Sequence, residues 1–199
     1  MREVPVTVIK YGDDLDQVLE FYGESNHAKA TLVLIHGGYW RDLFDREHMR
    51  PLAVSLAKEG FTVVLPEFRR VAGEPEVTLR DLAFAISTLE DQAITLIGYS
   101  SGGHLALLLA DKFPTVKKVI GLAPVTDLIE SQERELGRGA VREWLGRDAL
   151  DRPELDPLRR PPISAKTIFI HGDLDERVPL ELTEKYVAAM KSYGQEIVL

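Results

Sequence analysis

Residues 94–109 read ITLIGYSSGGHLALLL, and this stretch decides the fold. Ile94, Leu96 and Ile97 form an apolar run that stops at Gly98-Tyr99-Ser100-Ser101-Gly102. Leu105, Ala106, Leu108 and Leu109 then follow in a helical apolar run. The pattern predicts a strand, a tight turn and a helix, with Ser100 at the apex. Such a turn leaves no room for a side chain at Gly98 or Gly102, where a Cβ would collide with the neighbouring strand or helix. It also lifts the Ser100 hydroxyl clear of the sheet, at a helix N-terminus whose dipole favours negative charge.

Working outward, strands and helices alternate from residue 31 onward. Thr31 to Ile35 (TLVLI) is a continuous apolar run, as expected for a strand covered on both faces, and it leads into His36-Gly37-Gly38-Tyr39-Trp40. Met49 to Lys58 reads as a helix with Pro51 in its first turn and Gly60 beyond its end. Phe61 to Leu65 is the next strand, and Thr78 to Leu89 an amphipathic helix. After the 94–109 unit come a strand at Val116 to Leu122, a strand at Thr167 to Ile170 ending in His171-Gly172, and a helix at Leu180 to Tyr193. Gln195 to Leu199 opens one more strand.

Upstream, Arg2 to Lys10 alternates with Val4, Val6 and Val8 on one face. Asp16 to Tyr22 reads as its partner across the turn Tyr11-Gly12-Asp13-Asp14, and 23–29 as a polar loop. The expected fold class is α/β: one domain over 1–199, a mostly parallel sheet flanked by helices, with an antiparallel N-terminal hairpin. The proline-rich, irregular stretch near 124–163 is expected to be a small insertion over the site. In such sheets ligands bind at the carboxyl ends of the strands, where the turns 36–40, 98–103 and 171–175 fall.

The composition narrows the function classes. A net charge of −8 argues against a nucleic-acid surface. The absence of cysteine excludes disulfides, thiolate metal sites and a cysteine nucleophile. Charges spread through residues 1–20, and no apolar run reaches membrane-spanning length. The expectation is a soluble cytoplasmic protein with no nucleic-acid or membrane partner.

Three motifs carry a resemblance that extends over the whole chain. Gly98-Tyr99-Ser100-Ser101-Gly102 is similar to the nucleophile elbow of the α/β-hydrolases. His36-Gly37-Gly38-Tyr39-Trp40 resembles the HGGxW motif of the kynurenine formamidase (arylformamidase) group and, more loosely, the HGGG of lipases and esterases. The opening, with Tyr11-Gly12 and then Gln17 to Tyr22, looks like the first hairpin of that group. His171-Gly172-x-x-Asp175-x-x-Val178-Pro179 resembles the turn that carries the triad acid in many serine hydrolases. The resemblance implies a serine hydrolase acting on a small-molecule ester or on an N-formyl or aryl amide, with no metal or organic cofactor.

It also assigns roles. Ser100 is the expected nucleophile and Asp175 the expected acid, with Asp173 tying down the same turn. Oxyanion donors are expected from the N–H of Ser101 and from Gly37-Gly38-Tyr39, since glycines let the main chain approach the substrate. Tyr39, Trp40 and Tyr99 are candidates for the substrate pocket, although Tyr39 and Trp40 serve equally well as core. Trp144 either covers the acyl pocket or anchors the insertion. Arg69-Arg70 either meets a substrate carboxylate or is taken up in salt bridges.

The base is left open. In this fold the order along the chain is serine, acid, histidine, yet no histidine follows Asp175. His36 is expected to shape the oxyanion loop and His171 to order the acid turn; His27 and His48 are expected to be solvated. His104, four residues after Ser100, remains a surrogate candidate. The missing histidine would belong after the strand at 195–199. Three explanations stand: the chain lacks the end of its domain, a partner chain supplies the histidine, or the triad has been lost. An edge strand at 195–199 also makes a homodimer plausible.

Overall fold

The computed structural model describes residues 6–23, 30–89 and 93–199. Residues before Val6, the segment 24–29 with His27, and 90–92 lie outside the described residues.

The long apolar runs become the inner strands of one sheet. These are β3 (Thr31–Ile35), β4 (Thr62–Pro66), β5 (Ile94–Tyr99), β6 (Val116–Leu122) and β7 (Lys166–Ile170). The hairpin β1 (Val6–Lys10) and β2 (Val18–Tyr22) adds antiparallel to one side of them, and β8 (Ile197–Val198) closes the other. Eight strands run in the order β1-β2-β4-β3-β5-β6-β7-β8. The β1–β2 and β2–β4 pairs are antiparallel, and every other pair is parallel. The expected hairpin and parallel sheet are thus present. The second strand starts at Val18, because Asp14 and Asp16 are held in the turn by a side-chain bond from the Asp16 N–H to Asp14 Oδ1 at 3.0 Å. β1 lies at the sheet edge with all five residues exposed, so its alternation does not bury one face.

The main helices are α1 (Arg50–Lys58), α2 (Pro75–Ser87), α3 (Ser101–Leu109) and α6 (Leu180–Ser192). α2 begins earlier than Thr78 because Pro75 is suited to the first helical turn, where its missing N–H costs nothing. α3 is buried at every position, wedged between the sheet and the segment 124–163. That explains its uniformly apolar sequence.

The segment between β6 and β7 contains two short helices, α4 (Leu128–Glu133) and α5 (Ala140–Leu145), followed by three 3-10 turns. It is no loose flap. Leu128, Val141, Trp144, Leu145 and Leu155 belong to the same hydrophobic cluster as the core residues of α2 and α3. Buried Asp127 pins it in place, accepting from Arg159 at 2.8 Å and from Lys185 at 2.7 Å.

Register levels the strand ends. Ile35 lies opposite Gly98, Tyr99 opposite Leu122, and Leu122 opposite Ile170. The turns leaving β3, β5, β6 and β7 therefore emerge at one height, where the sheet can gather them into a single site.

Candidate active site

Ser100 sits between β5 and α3 at φ 53° and ψ −118°, a backbone conformation sparsely populated by any residue with a Cβ. Its neighbours enforce it. A Cβ on Gly98 would run into the carbonyl of Gly102, and one on Gly102 would run into the carbonyl oxygens of Ile35 and His36. The Ser100 N–H donates to Leu122 O at 2.9 Å. Its carbonyl accepts from Gly103 N at 2.9 Å, Val125 N at 3.2 Å and His104 N at 3.3 Å. The apex is thus bonded to β6, to α3 and to the start of the 124–163 segment at once. Ser101 opens α3, so its N–H has no intrahelical acceptor.

The turn after β3 lies directly against this apex. The Cα of Gly37 is so close that an added Cβ would stand 2.7 Å from Tyr99 O and 3.1 Å from Ser100 Cβ. Gly38 has φ +121°, and the next two residues, Tyr39 and Trp40, also have positive φ at 55° and 58°. Three consecutive residues in the left-handed half of backbone space are costly, at roughly 1–3 kcal/mol for each non-glycine. Surrounding bonds hold them. Arg41 forks onto Glu143 at 2.6 and 2.9 Å and donates to Gly137 O at 2.9 Å, tying the turn to α5.

Beneath the turn lies a buried ionic cluster. His36 Nδ1 donates to Gly37 O at 2.8 Å, and its Nε2 donates to Glu67 Oε1 at 3.0 Å. The His36 ring stacks on Phe68 with centroids 4.4 Å apart. Glu67 also pairs with Arg70, and it accepts from the Arg46 N–H at 2.9 Å. Burial by itself would raise the Glu67 carboxyl; the bond from His36 and the charges of His36 and Arg70 reverse that and hold it well below the usual carboxylate range. Arg46 reaches across to Glu20 at 2.8 Å, and Arg50 joins the same carboxylate at 2.7 Å. Arg70 is thus absorbed here, and Arg69 is held by Asp81 at 2.7 Å. Of the two readings of Arg69-Arg70, the salt-bridged one is what the fold contains.

Asp175 follows β7 in a side-chain-capped turn. Its Oδ1 accepts from Arg177 N at 2.8 Å and from Val178 N at 2.9 Å. His171 supports this turn: Nε2 donates to Val178 O at 2.8 Å, and Nδ1 accepts from Thr183 Oγ1 at 2.9 Å. The Asp175 Oδ2 stands 3.7 Å from His171 Nε2, beyond hydrogen-bond reach.

These turns enclose a cleft of about 270 Å³, lined by Gly38, Tyr39, Tyr99, Ser100 and Asp175 among the residues expected from the sequence. The sequence reading did not single out five more lining residues, Phe44, His48, Ala123, Arg177 and Val178, as wall residues. Val178 stood in a recognised motif, whereas Phe44 and His48 lie in a segment without periodicity and gave no signal. His48, expected to be solvated, is a wall of the cleft, with its ring edge-on to Tyr99 at 6.2 Å. Desolvation first, and the charge of His36 second, lower its basicity. The phenol of Tyr39 is pushed up by burial; the Arg177 charge opposes this while Asp175 reinforces it.

Two expectations need correction. Trp40 does not line this cleft. It is 5% exposed and stacks on Trp144 at 5.0 Å, with its Nε1 donating to His104 Nδ1 at 3.3 Å. The reason is packing: the indole is taken up between Trp144 of α5 and His104 of α3, which leaves it no face towards the cleft. Trp144 accordingly anchors the segment 124–163 to the core. His104 is fully buried, and its Nε2 donates to Leu155 O at 2.8 Å. With both nitrogens engaged and burial pushing its pKa down to about 3, it is a structural link and no surrogate base. Among the described residues, no group of three or more His, Asp or Glu is placed to hold a metal ion, and no helix is long and apolar enough to cross a membrane.

A mostly parallel sheet with an antiparallel start and a strained serine between its central strand and helix is the α/β-hydrolase fold. The chain belongs to the alpha/beta hydrolase family, whose sequence profile matches residues 32–195. Over 119 residues it is 26% identical to an AB hydrolase superfamily protein of Gibberella zeae, covering 56% of this chain and 41% of that protein. The chain therefore spans about two fifths of that relative's length. Among solved structures it resembles esterase B from Lactobacillus rhamnosis, at 19% identity and a TM-score of 0.83, covering 99% of this chain and 74% of that one. It also resembles Thermogutta terrifontis esterase 2 phosphonylated by sarin, at 20% identity and a TM-score of 0.79, covering 98% and 82%. At such identities the likeness concerns the fold.

Proposed function

We propose that this chain is a serine hydrolase that cleaves a carboxylic ester or an N-formyl or aryl amide through an acyl-enzyme on Ser100, of kynurenine formamidase-like or carboxylesterase type. The observation that carries the reading is the strained Ser100, pressed against Gly37 and sharing one cleft with Asp175. In this reading the Ser100 hydroxyl attacks the carbonyl carbon, and the oxyanion is met by N–H groups of Ser101 and of the Gly37-Gly38-Tyr39 turn. A base takes the Ser100 proton and passes it to the departing alcohol or amine, and water then releases the acyl group; Asp175, with Oδ2 as its remaining acceptor, would orient that base, a role that none of His36, His104 and His171 fills. The HGGYW sequence at 36–40 favours the formamidase version, and the aromatic walls Tyr39, Phe44 and Tyr99 suit an aryl group.

A second reading is a hydrolase-fold protein that binds its ligand without efficient turnover. It is favoured by the histidines: His36, His104 and His171 each have both ring nitrogens engaged. A fluorophosphonate probe separates the two. Labelling that disappears in Ser100→Ala supports the hydrolase; an unlabelled wild-type chain supports the binding protein. Comparing N-formylkynurenine with p-nitrophenyl acetate then tests specificity, and equal or poorer turnover of the formamide would sink the formamidase version. We further propose a homodimer through the β8 edge, which light scattering in solution would test.

A further inference from the structure

The cleft around Ser100 is walled mainly by aromatic and apolar groups, yet two charged residues line it, Asp175 and Arg177. Asp175 is committed to its own turn. Arg177 is not committed to anything comparable. Its main chain is fixed, with the N–H on Asp175 Oδ1 at 2.8 Å and the carbonyl accepting from Tyr39 Oη at 3.4 Å. Among the described residues, however, no carboxylate lies within salt-bridge distance of its guanidinium, whereas Arg41 across the neighbouring groove is forked onto Glu143. The Arg177 charge is felt at the Tyr39 phenol on the cleft wall. A rigidly based, unpaired guanidinium beside aromatic rings is suited to bidentate capture of a carboxylate.

We propose that Arg177 selects ligands that carry a carboxylate on an otherwise apolar or aryl body, with the anion at the mouth of the cleft and the body among Tyr39, Phe44 and Tyr99. The proposal deepens the hydrolase reading, on which it rests for the position of the scissile bond beside Ser100. A neutral ester gives the guanidinium no partner; an acidic substrate pairs it at the exposed rim of the cleft. The neighbouring groove, which Arg177 also lines, carries Glu135 and Glu176 as well as Arg41 and Arg138, so anions are not drawn to that whole face; the proposed selectivity is for the cleft side of Arg177.

Equilibrium binding tests this without any turnover. Isothermal titration calorimetry would compare 4-phenylbutyrate with its neutral isostere 4-phenylbutanamide on the wild-type chain, Arg177→Gln and Arg177→Lys. The expected result is a roughly tenfold preference for the acid in the wild type, lost in Arg177→Gln and partly kept in Arg177→Lys. Equal affinities in the wild type, no binding of the acid at millimolar concentration, or a preference that survives Arg177→Gln would overturn the proposal. Fluorophosphonate labelling of Ser100 reports on the hydrolase reading separately, so the failure of one is not mistaken for failure of the other.

Discussion

Glu67 Oε1 accepts the His36 Nε2 hydrogen at 3.0 Å, and neither side chain is more than 1% exposed. This pair sits under the glycine turn that lies against Ser100, and Arg46 extends it to Glu20. The cluster is the foundation of the turn, because His36 Nδ1 holds Gly37 O directly.

Replacing Glu67 with Gln keeps the shape and removes the charge that Arg46 and Arg70 face. Breaking one member of a buried ionic group costs about 3–5 kcal/mol, since the remaining charges stay buried without compensation. Urea unfolding of Glu67→Gln should show a loss of that order. A loss under 1 kcal/mol would mean that the cluster contributes little to stability.

The same carboxylates set the acid limit. Burial raises Glu67, Glu20, Asp81 and Asp127, but their arginine, lysine and histidine partners outweigh it and hold all four below their ordinary values. The unfolded chain takes up these protons first, so their stabilisation is intact above about pH 4.5, the ordinary value for Glu67, and is lost as pH falls further.

His104 acts in a higher window. Unfolded, it is protonated below its ordinary 6.5; folded, only near 3. Stability should therefore decline as pH falls from 6.5 towards 4.5, approaching about 1.4 kcal/mol per pH unit from this group. His104→Gln, measured by urea unfolding at several pH values, should flatten that slope. An unchanged slope would show that His104 is not the titrating group.

How much of this was legible beforehand depends on the range of the interactions. Gly98, Ser100 and Gly102 declared themselves because the steric demand is local: the residues that collide are neighbours in the sequence or in the adjacent strand turn. The Asp175 turn was equally local, with bonds two and three residues away. Trp40 was not decidable, because its partners His104 and Trp144 lie far along the chain. Phe44 and His48 were hidden for a related reason. Their segment has no periodic pattern, and it is held by Arg46 reaching to Glu20 and Glu67, a pairing between elements that no motif announces.

The two tryptophans allow a matched comparison. Each becomes smaller by a similar volume as Phe, and both are nearly buried, at 5% for Trp40 and 1% for Trp144. They differ in one bond: Trp40 Nε1 donates to His104 Nδ1, while Trp144 Nε1 has no partner among the described residues. Trp40→Phe strands a buried imidazole nitrogen, which Trp144→Phe does not. Trp40→Phe should therefore be the more destabilising by about 1 kcal/mol or more in urea unfolding. The opposite order would show that cavity size outweighs the lost hydrogen bond.

Gly37→Ala separates the positioning of the turn from the stability of the fold. Gly37 is not held at a positive φ, so alanine is conformationally tolerated there. Its methyl group, however, would meet Tyr99 O at 2.7 Å and Ser100 Cβ at 3.1 Å, both belonging to a rigid strand end. The turn must yield, since Ser100 is bonded to β6, α3 and Val125 together. Moving the turn away from Ser100 withdraws the N–H donors that the proposed mechanism needs at the oxyanion. Losing one such donor costs about 10²–10³ in kcat. The variant should therefore remain folded, with a melting temperature lowered by a few degrees, and lose ester turnover in kcat far more than in KM. A folded Gly37→Ala chain with wild-type kcat would remove this turn from the oxyanion site.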